Sequence, residues 1–309
     1  MKAVWIETYG GPEAVHFGER PDPEPKPRDV LVEVTAASIN PIDWKMRDGL
    51  LRDFFALPMP YILGRDLSGV VSAVGAEVTD LKPGDEVFGM ADAQRGGAHA
   101  ELIAADHRML ALKPRMVGHR DVAALTLVGA TAVAALDDTA RIAKGEHVLI
   151  HGGAGGVGAV AVQLAKHRGA WVAATCSAAN RAFVRGLGAD HVIDYKNEDF
   201  ATQLSEIDLV FDTVGGEVHR RSMAVLKPGG RLAYVVAAPF PATTARADIT
   251  VLRVTVRGER ALFERIAALI DAGAIKADIT TVLPLSEAGR GYEMNKSGRT
   301  RGKIVLDIG

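Results

Sequence analysis

The 309-residue sequence predicts an α/β protein made of a β-rich, barrel-like part and a doubly wound α/β domain inserted into it. Three observations predict this. From Met1 to about Lys113 the chain is a series of short apolar runs broken by Pro and Gly. After Pro114 strands and helices alternate. The last two apolar runs, ITTVLPL and GKIVLDIG, are too little sequence for a core of their own.

The first runs, AVWI, DVLVEVTAAS, GVVSAVG, GDEVFGM, AELIAA and RMLAL, have the length and β-branched content of strands. The proline-rich stretch 19–29 is followed at once by DVLVEV, so it reads as a surface loop. The alternating region then gives helix 121–137, strand 147–151, helix 156–168, strand 171–176, helix 178–187 and strand 191–194. It continues with strand 208–212, helix 217–226 and strands 231–236 and 249–256. An amphipathic helix at 259–273 carries Leu262, Ile266, Ala267 and Ile270 on one face and ends at Gly273. The two final strands are expected to return to the N-terminal sheet. The expected domains are therefore residues 1–118 with 274–309, and the insert 119–273.

Within the insert, HVLIHGGAGGVGAVAVQLAKHRG places a glycine-rich turn between a buried strand and an amphipathic helix. Gly153, Gly155 and Gly158 satisfy G-x-G-x-x-G: the first permits the tight turn, the second lets backbone approach a pyrophosphate, and the third packs helix against strand. Gly156 and Val157 open the helix, whose N-terminus faces the phosphates. A dinucleotide site follows. An NAD-preferring site would place Asp or Glu at the end of the second strand, which here ends Thr175-Cys176-Ser177. Ser177, Asn180 and Arg181 instead offer donors to a 2′-phosphate, so NADPH is the expected cofactor. Ser177 also reads as a helix N-cap, and Tyr195 as either a wall of the ribose or adenine site or an ordinary strand-end residue. Val214, Gly215, Val236 and Ala237 follow the fourth and fifth strands, where such sheets bind ligands.

Lys and Arg total 36 against 38 Asp and Glu, so the charge balance offers no case for nucleic acid or an anionic membrane. One cysteine, Cys176, fits a reducing compartment, and the chain start lacks a signal-peptide pattern. No stretch reads as a membrane span, and the expected location is cytoplasmic. The apolar run 248–256 would leave an open sheet edge, which pairing in a homodimer would cover.

The motifs SINPIDWKMRDG (38–49), ILGRDLSGVVSAVG (62–75), LKPGDEVFG (81–89), GGAGGVG (152–158), LGADHVIDY (187–195), FDTVGG (211–216) and RGKIVL (301–306) span nearly the whole chain. On them the sequence resembles the medium-chain dehydrogenase/reductase superfamily, within it the zinc-free quinone oxidoreductases, zeta-crystallins and enone reductases. The resemblance implies a GroES-like catalytic domain, an inserted Rossmann domain and an active cleft between them. Where zinc enzymes of the superfamily carry a ligand cysteine and a ligand histidine, this chain has Asn40 and Arg65, and it cannot supply a four-cysteine structural site. No metal is expected.

The expected reaction is hydride transfer from NADPH to a small apolar quinone or α,β-unsaturated carbonyl, with negative charge developing on the carbonyl oxygen. Asn40 and Lys45 are the candidate donors to that charge, and Asp43 either orients Lys45 or caps the helix beginning near Trp44. Arg65 is expected to pair with Asp66 or another nearby carboxylate. By analogy with the family, Thr131 lies near the nicotinamide phosphate or packs within its helix. Arg301 and Lys303 either close over the cofactor or are solvated. The loop 52–61 lines an apolar pocket or belongs to the core. A second class of reading is an NADPH-binding structural or regulatory protein of zeta-crystallin type with little catalysis.

Overall fold

The computed structural model describes residues 1–54, 56–236 and 246–309, and the chain divides into two compact units. One is Met1–Leu127 with Gly258–Gly309; the other is Val128–Arg257. The helix Arg260–Asp271, assigned from the sequence to the insert, lies in the first unit. Its buried Phe263 meets Phe88 edge-on at 5.8 Å, and Arg260 Nε donates to the Leu110 carbonyl at 2.9 Å.

In the first unit a seven-stranded sheet runs Ile279–Pro284, Lys303–Asp307, Asp29–Ile39, Asp66–Val74, Glu86–Met90, Leu110–Leu112, with Leu102–Asp106 also paired to Asp29–Ile39. Alternation along Asp29–Ile39 puts Val30, Val32 and Val34 into a core with Leu67, Val71, Val87, Ile103 and Leu110. A smaller sheet joins His16–Glu19, Lys2–Ile6 and Tyr61–Ile62. The two C-terminal strands do return to the main sheet, with Lys303–Asp307 antiparallel to Asp29–Ile39. Between them lies a helix that the sequence reading lacks, Ala288–Lys296, with Tyr292 buried.

The second unit is a six-stranded parallel sheet in the order His191–Asp194, Trp171–Cys176, His147–Ile150, Ile207–Asp212, Leu226–Tyr234, Thr250–Arg253. Counted along the chain this order is 3-2-1-4-5-6, the doubly wound arrangement whose direction reverses between His147–Ile150 and Ile207–Asp212. Helix Gly156–His167 covers the sheet through Val160, Ala161 and Leu164. Thr250–Arg253 ends the sheet.

The helix expected at 121–137 runs His119–Val133 and continues as a π-type turn, Ala134–Thr139. Contrary to the sequence reading, the span His119–Thr139 is long and apolar enough to cross a membrane. It is a core helix, since 78% of its most apolar window is buried inside the protein.

Candidate functional site

In the second unit the strand His147–Ile150 runs into His151 and the glycine turn. The tight-turn conformation belongs to Gly152, at φ 72°, and not to Gly153 as the motif suggests. A side chain on Gly153 would instead crowd Ala174. Gly158 has the expected packing role, because a Cβ there would lie 2.1 Å from the Gly152 carbonyl oxygen. At Gly155, the N-cap of helix Gly156–His167, the nearest atom to a Cβ is that same carbonyl oxygen, at 3.4 Å. The first N–H groups of the helix, from Gly156, Val157 and Gly158, have no intrahelical acceptor by geometry, which makes this end an anion site.

The turn is held from beneath by a buried polar chain. Thr175 Oγ1 accepts the Gly152 N–H at 3.2 Å and meets His151 Nδ1 at 3.1 Å. His151 Nε2 lies 2.9 Å from Ser222 Oγ, whose hydroxyl donates to the Val218 carbonyl at 2.7 Å. Ser222 therefore accepts from Nε2–H, and Nδ1 accepts from Thr175. Burial pushes the His151 pKa down to about 4, so the ring is neutral at physiological pH. Across the switch point, Thr213 Oγ1 donates to the His151 carbonyl at 2.8 Å. Asp212 accepts the N–H groups of Val214 and Gly215 at 2.8 and 2.9 Å, and its other oxygen meets His219 Nδ1 at 2.8 Å. Gly215 has φ 82°, and a Cβ there would strike Val236 at 3.0 Å. Both loops beside the switch point are thus fixed by side chains buried below them. Ala237 lies outside the described residues.

At the end of Trp171–Cys176, Ser177 occupies the N-cap position of the short 3-10 turn Ala178–Asn180 without a side-chain bond to its backbone, and Asn180 Nδ2 donates to Ser177 Oγ at 3.2 Å. Arg181 is neither solvated nor waiting for an anion alone. It pairs with Glu198, whose carboxylate also accepts the Asp194 N–H at 2.8 Å. A 2′-phosphate would have to share this guanidinium. Tyr195 is 59% exposed beside these groups, and Thr131 is buried within its helix.

In the first unit the helix Pro41–Arg47 begins three residues before Trp44, with Asn40 as N-cap and Pro at its first position. Asp43 is buried, and its carboxylate accepts the Asn40 N–H at 2.8 Å. It caps the helix and makes no hydrogen bond to Lys45, which corrects the alternative that it orients the lysine. Burial raises its pKa to about 7, and its second oxygen is buried without a partner. The Asn40 amide is also used internally. Nδ2 donates to Asp66 at 2.7 Å and to the Ser38 carbonyl at 3.3 Å, while Oδ1 accepts from Lys303 Nζ at 2.6 Å. No donor remains on Asn40 for a substrate oxygen, so its expected role in meeting the developing charge does not hold in this geometry.

Lys303, expected at a solvated end or over the cofactor, is buried and also donates to the Ile39 carbonyl at 2.9 Å. Arg301 instead pairs with Asp278 at the surface, at 2.9 Å. Asp66 accepts from Ser38 Oγ at 2.5 Å and from the Leu127 N–H at 3.0 Å, and lies 3.9 Å from Lys303 Nζ. Lys45 differs from both neighbours. It is half-buried, its Nζ lies 5.5 Å from the Trp44 ring centroid, and no described carboxylate lies within 4 Å of it. Burial lowers its pKa. In the loop 52–61, Phe54 is exposed and Tyr61 buried, so the segment is not core as a whole, and Phe55 lies outside the described residues. Arg65 donates through Nε to the Ala91 carbonyl at 2.8 Å and pairs with no carboxylate, contrary to expectation. Among the described residues no group of three or more His, Cys, Asp or Glu is placed to hold a metal ion.

The chain matches the alcohol dehydrogenase GroES-like domain over residues 26–115 and the zinc-binding dehydrogenase family over residues 187–306. It is 32% identical to a chloroplast envelope quinone oxidoreductase homolog of Arabidopsis thaliana, covering 99% of this chain and 98% of that protein. The chain belongs to the medium-chain dehydrogenase/reductase superfamily, in its zinc-free quinone and enone reductase group. A 2-methylene-furan-3-one reductase of Solanum lycopersicum is 33% identical over 99% of this chain and 79% of its own. The quinone oxidoreductase of Coxiella burnetii superposes with a TM-score of 0.92 at 32% identity, over 100% and 99% of the two chains. The Escherichia coli quinone oxidoreductase, solved as a complex with NADPH, superposes at 0.90 with 28% identity, over 99% and 100%. In this group the internal bonds of Asn40 explain how the zinc-ligand position is filled: an amide bound to a buried ammonium and a buried carboxylate stands there instead.

Sequence reasoning named Lys303 and Asp66 in other roles and missed the buried network that they form with Ser38 and Asn40. They come together only through pairing of Asp29–Ile39 with both Lys303–Asp307 and Asp66–Val74. The local signal available was the spacing of Asn40 and Asp43, which reads as an N-cap and an N3 acid.

Proposed function

We propose that this protein is an NADPH-dependent oxidoreductase that reduces quinones or α,β-unsaturated carbonyls by hydride transfer, without zinc. The observation that carries the reading is the glycine turn at the switch point, where Gly158 leaves no room for a side chain above the Gly152 carbonyl. NADPH, when bound, supplies the hydride. The helix N-terminus at Gly155, Gly156, Val157 and Gly158 receives the pyrophosphate, with Gly153 in the turn below. Ser177, Asn180 and Arg181 take the 2′-phosphate, with Tyr195 beside them, and the absence of a carboxylate at position 177 favours NADPH over NADH. Thr131, Val214, Gly215, Val236 and Ala237 serve the nicotinamide half.

Lys45 provides an ammonium whose charge no described carboxylate neutralises, suited to meet the oxyanion of the reduced acceptor. Asn40 and Asp43 act through the cap that fixes the start of the Lys45 helix. The acceptor is a small apolar quinone or enone; nucleic acid and membrane are not partners in this reading. The protein works in the cytoplasm as a homodimer paired along Thr250–Arg253. Light scattering at micromolar concentration tests the dimer, and monomer alone refutes it.

The function is tested by following NADPH and NADH oxidation with 1,4-benzoquinone, 9,10-phenanthrenequinone, a short alkenone and a 2-alkenal, with and without chelator. Chelator-resistant turnover that prefers NADPH is expected. Tight NADPH binding without turnover on any acceptor would move the reading to a structural or regulatory protein.

A further inference from the structure

Among the buried cations of the first unit, Arg47 and Lys303 have carboxylate partners and Arg65 has none among the described residues. It is 9% exposed, yet only its Nε has a partner, the Ala91 carbonyl at 2.8 Å. Its two terminal nitrogens donate to nothing among the described residues. Neither belongs to the buried polar atoms that lack a partner, so both keep an opening to solvent. The backbone around it is fixed. Gly64 takes φ 97° and has no room for a side chain, since a Cβ there would strike the buried His99 ring at 2.4 Å, and Arg65 exchanges a second bond with Ala91, whose N–H donates to the Arg65 carbonyl at 2.7 Å.

Asp43 and Asp66 both feel the Arg65 charge, yet neither bonds it. Asp66 is matched by Lys303 at 3.9 Å and holds the Ser38 and Asn40 donors as well. Asp43 carries its one hydrogen bond on the Asn40 N–H, and desolvation favours its protonated form. Tyr61 donates its hydroxyl to the Ala93 carbonyl at 2.7 Å, His99 is held neutral by burial, and Arg47 is neutralised by Asp48 and Glu293. The Arg65 guanidinium is therefore nearly buried, bonded to no described carboxylate, with N–H donors on both terminal nitrogens that no described residue uses. A desolvated charge held without a counterion is costly unless an anion arrives, and charge that appears only during reaction is such an anion.

We propose that Arg65 hydrogen-bonds the carbonyl oxygen of the electron acceptor and shares with the Lys45 ammonium the stabilisation of the oxyanion formed there, a residue of substrate recognition and catalysis in the first unit. The inference rests on the reductase reading above. When hydride adds to the β-carbon of an enone, the C=C pair shifts to the α-carbon–carbonyl bond and the carbonyl pair moves to oxygen. Arg65 hydrogen-bonds that oxygen and stays protonated, and a proton from solvent completes the α-carbon. The acceptor gains two electrons and two hydrogens, and NADPH leaves as NADP⁺. The planar fork suits a carbonyl oxygen with two lone pairs in a way that a lysine cannot reproduce.

The test compares wild type with Arg65→Met, Arg65→Gln and Arg65→Lys. It measures kcat/KM for a short alkenone, NADPH affinity by fluorescence, and calorimetric affinity for the same alkenone in protein saturated with NADP⁺, where no reaction occurs. Arg65→Met and Arg65→Gln are expected to lose at least about 30-fold in kcat/KM and about tenfold in alkenone affinity, with NADPH affinity unchanged and the fold retained in circular dichroism. Arg65→Lys should recover part of each. Turnover and alkenone affinity within twofold of wild type in Arg65→Gln would overturn the assignment, as would equal losses of NADPH and alkenone affinity. If wild type itself reduces no acceptor, the reductase reading fails and not the placement of Arg65.

Discussion

The glycine turn of the second unit and the capped helix of the first solve the same problem, a defined polar surface, with different parts. The turn uses backbone: one positive φ at Gly152, a side-chain-free Gly158 and the free N–H groups of a helix end. The helix Pro41–Arg47 rests on buried polar and charged side chains drawn from residues 40, 43, 66 and 303. The groups that face the ligand in a backbone site come from consecutive residues, although buried side chains of Thr175, His151 and Ser222 support them. A side-chain site is assembled by sheet register over the whole unit, and each member relies on another for at least one of its bonds.

Removing one member is the most severe way to break this comparison. Lys303→Met leaves Asn40 Oδ1 and Asp66 without their cation and should cost about 3–5 kcal/mol of stability in urea unfolding. A loss under about 1 kcal/mol would show that the network is not structural.

Asp43 sharpens the comparison through pH. Its folded pKa is raised from 3.8 to about 7, so the folded state holds a proton that the unfolded chain has lost. The contribution of Asp43 to stability is full below about pH 4 and is lost as pH rises to about 7, by on the order of 4 kcal/mol at most. Asp43→Asn removes this term while keeping an oxygen for the Asn40 N–H. Its stability relative to wild type should rise between pH 4 and 8, whereas parallel profiles would contradict the burial argument.

In the second unit, Gly158→Ala places a methyl 2.1 Å from the Gly152 carbonyl oxygen. NADPH affinity should fall by at least about 100-fold, about 2.7 kcal/mol, in a fluorescence titration. Full affinity in this variant would mean that the turn is not the phosphate site. The smallest expected effect is Lys45→Ala, a loss of roughly tenfold in turnover with NADPH affinity little changed. Unchanged turnover removes Lys45 from the mechanism.

The same contrast explains what the sequence made legible. The strand–turn–helix at 147–168 was readable because its period, its glycines and its helix start are contiguous, and strand 171–176 matches its observed bounds. Even there the tight turn moved one residue, to Gly152, since G-x-G-x-x-G does not distinguish adjacent glycines. Helix Ala288–Lys296 escaped notice because Gly289 and Gly291 weaken its local preference. It is held by tertiary contact instead: Tyr292 is buried against His99, and at Gly291 a Cβ would meet Ile39 at 2.1 Å. Lys303 looked like a cation near a chain end. Only the pairing of Ile304 with Ile39 carries it beside Asn40. Arg181 looked free because its partner, Glu198, follows one strand later.

The most direct test of the reductase account uses NADPH deuterated at the transferable position of C4 and a short alkenone, with the product read by NMR. The account predicts one deuterium at the β-carbon and hydrogen from water at the α-carbon. Reduced product with deuterium at neither carbon, or NADPH binding with no reduced product, would contradict it.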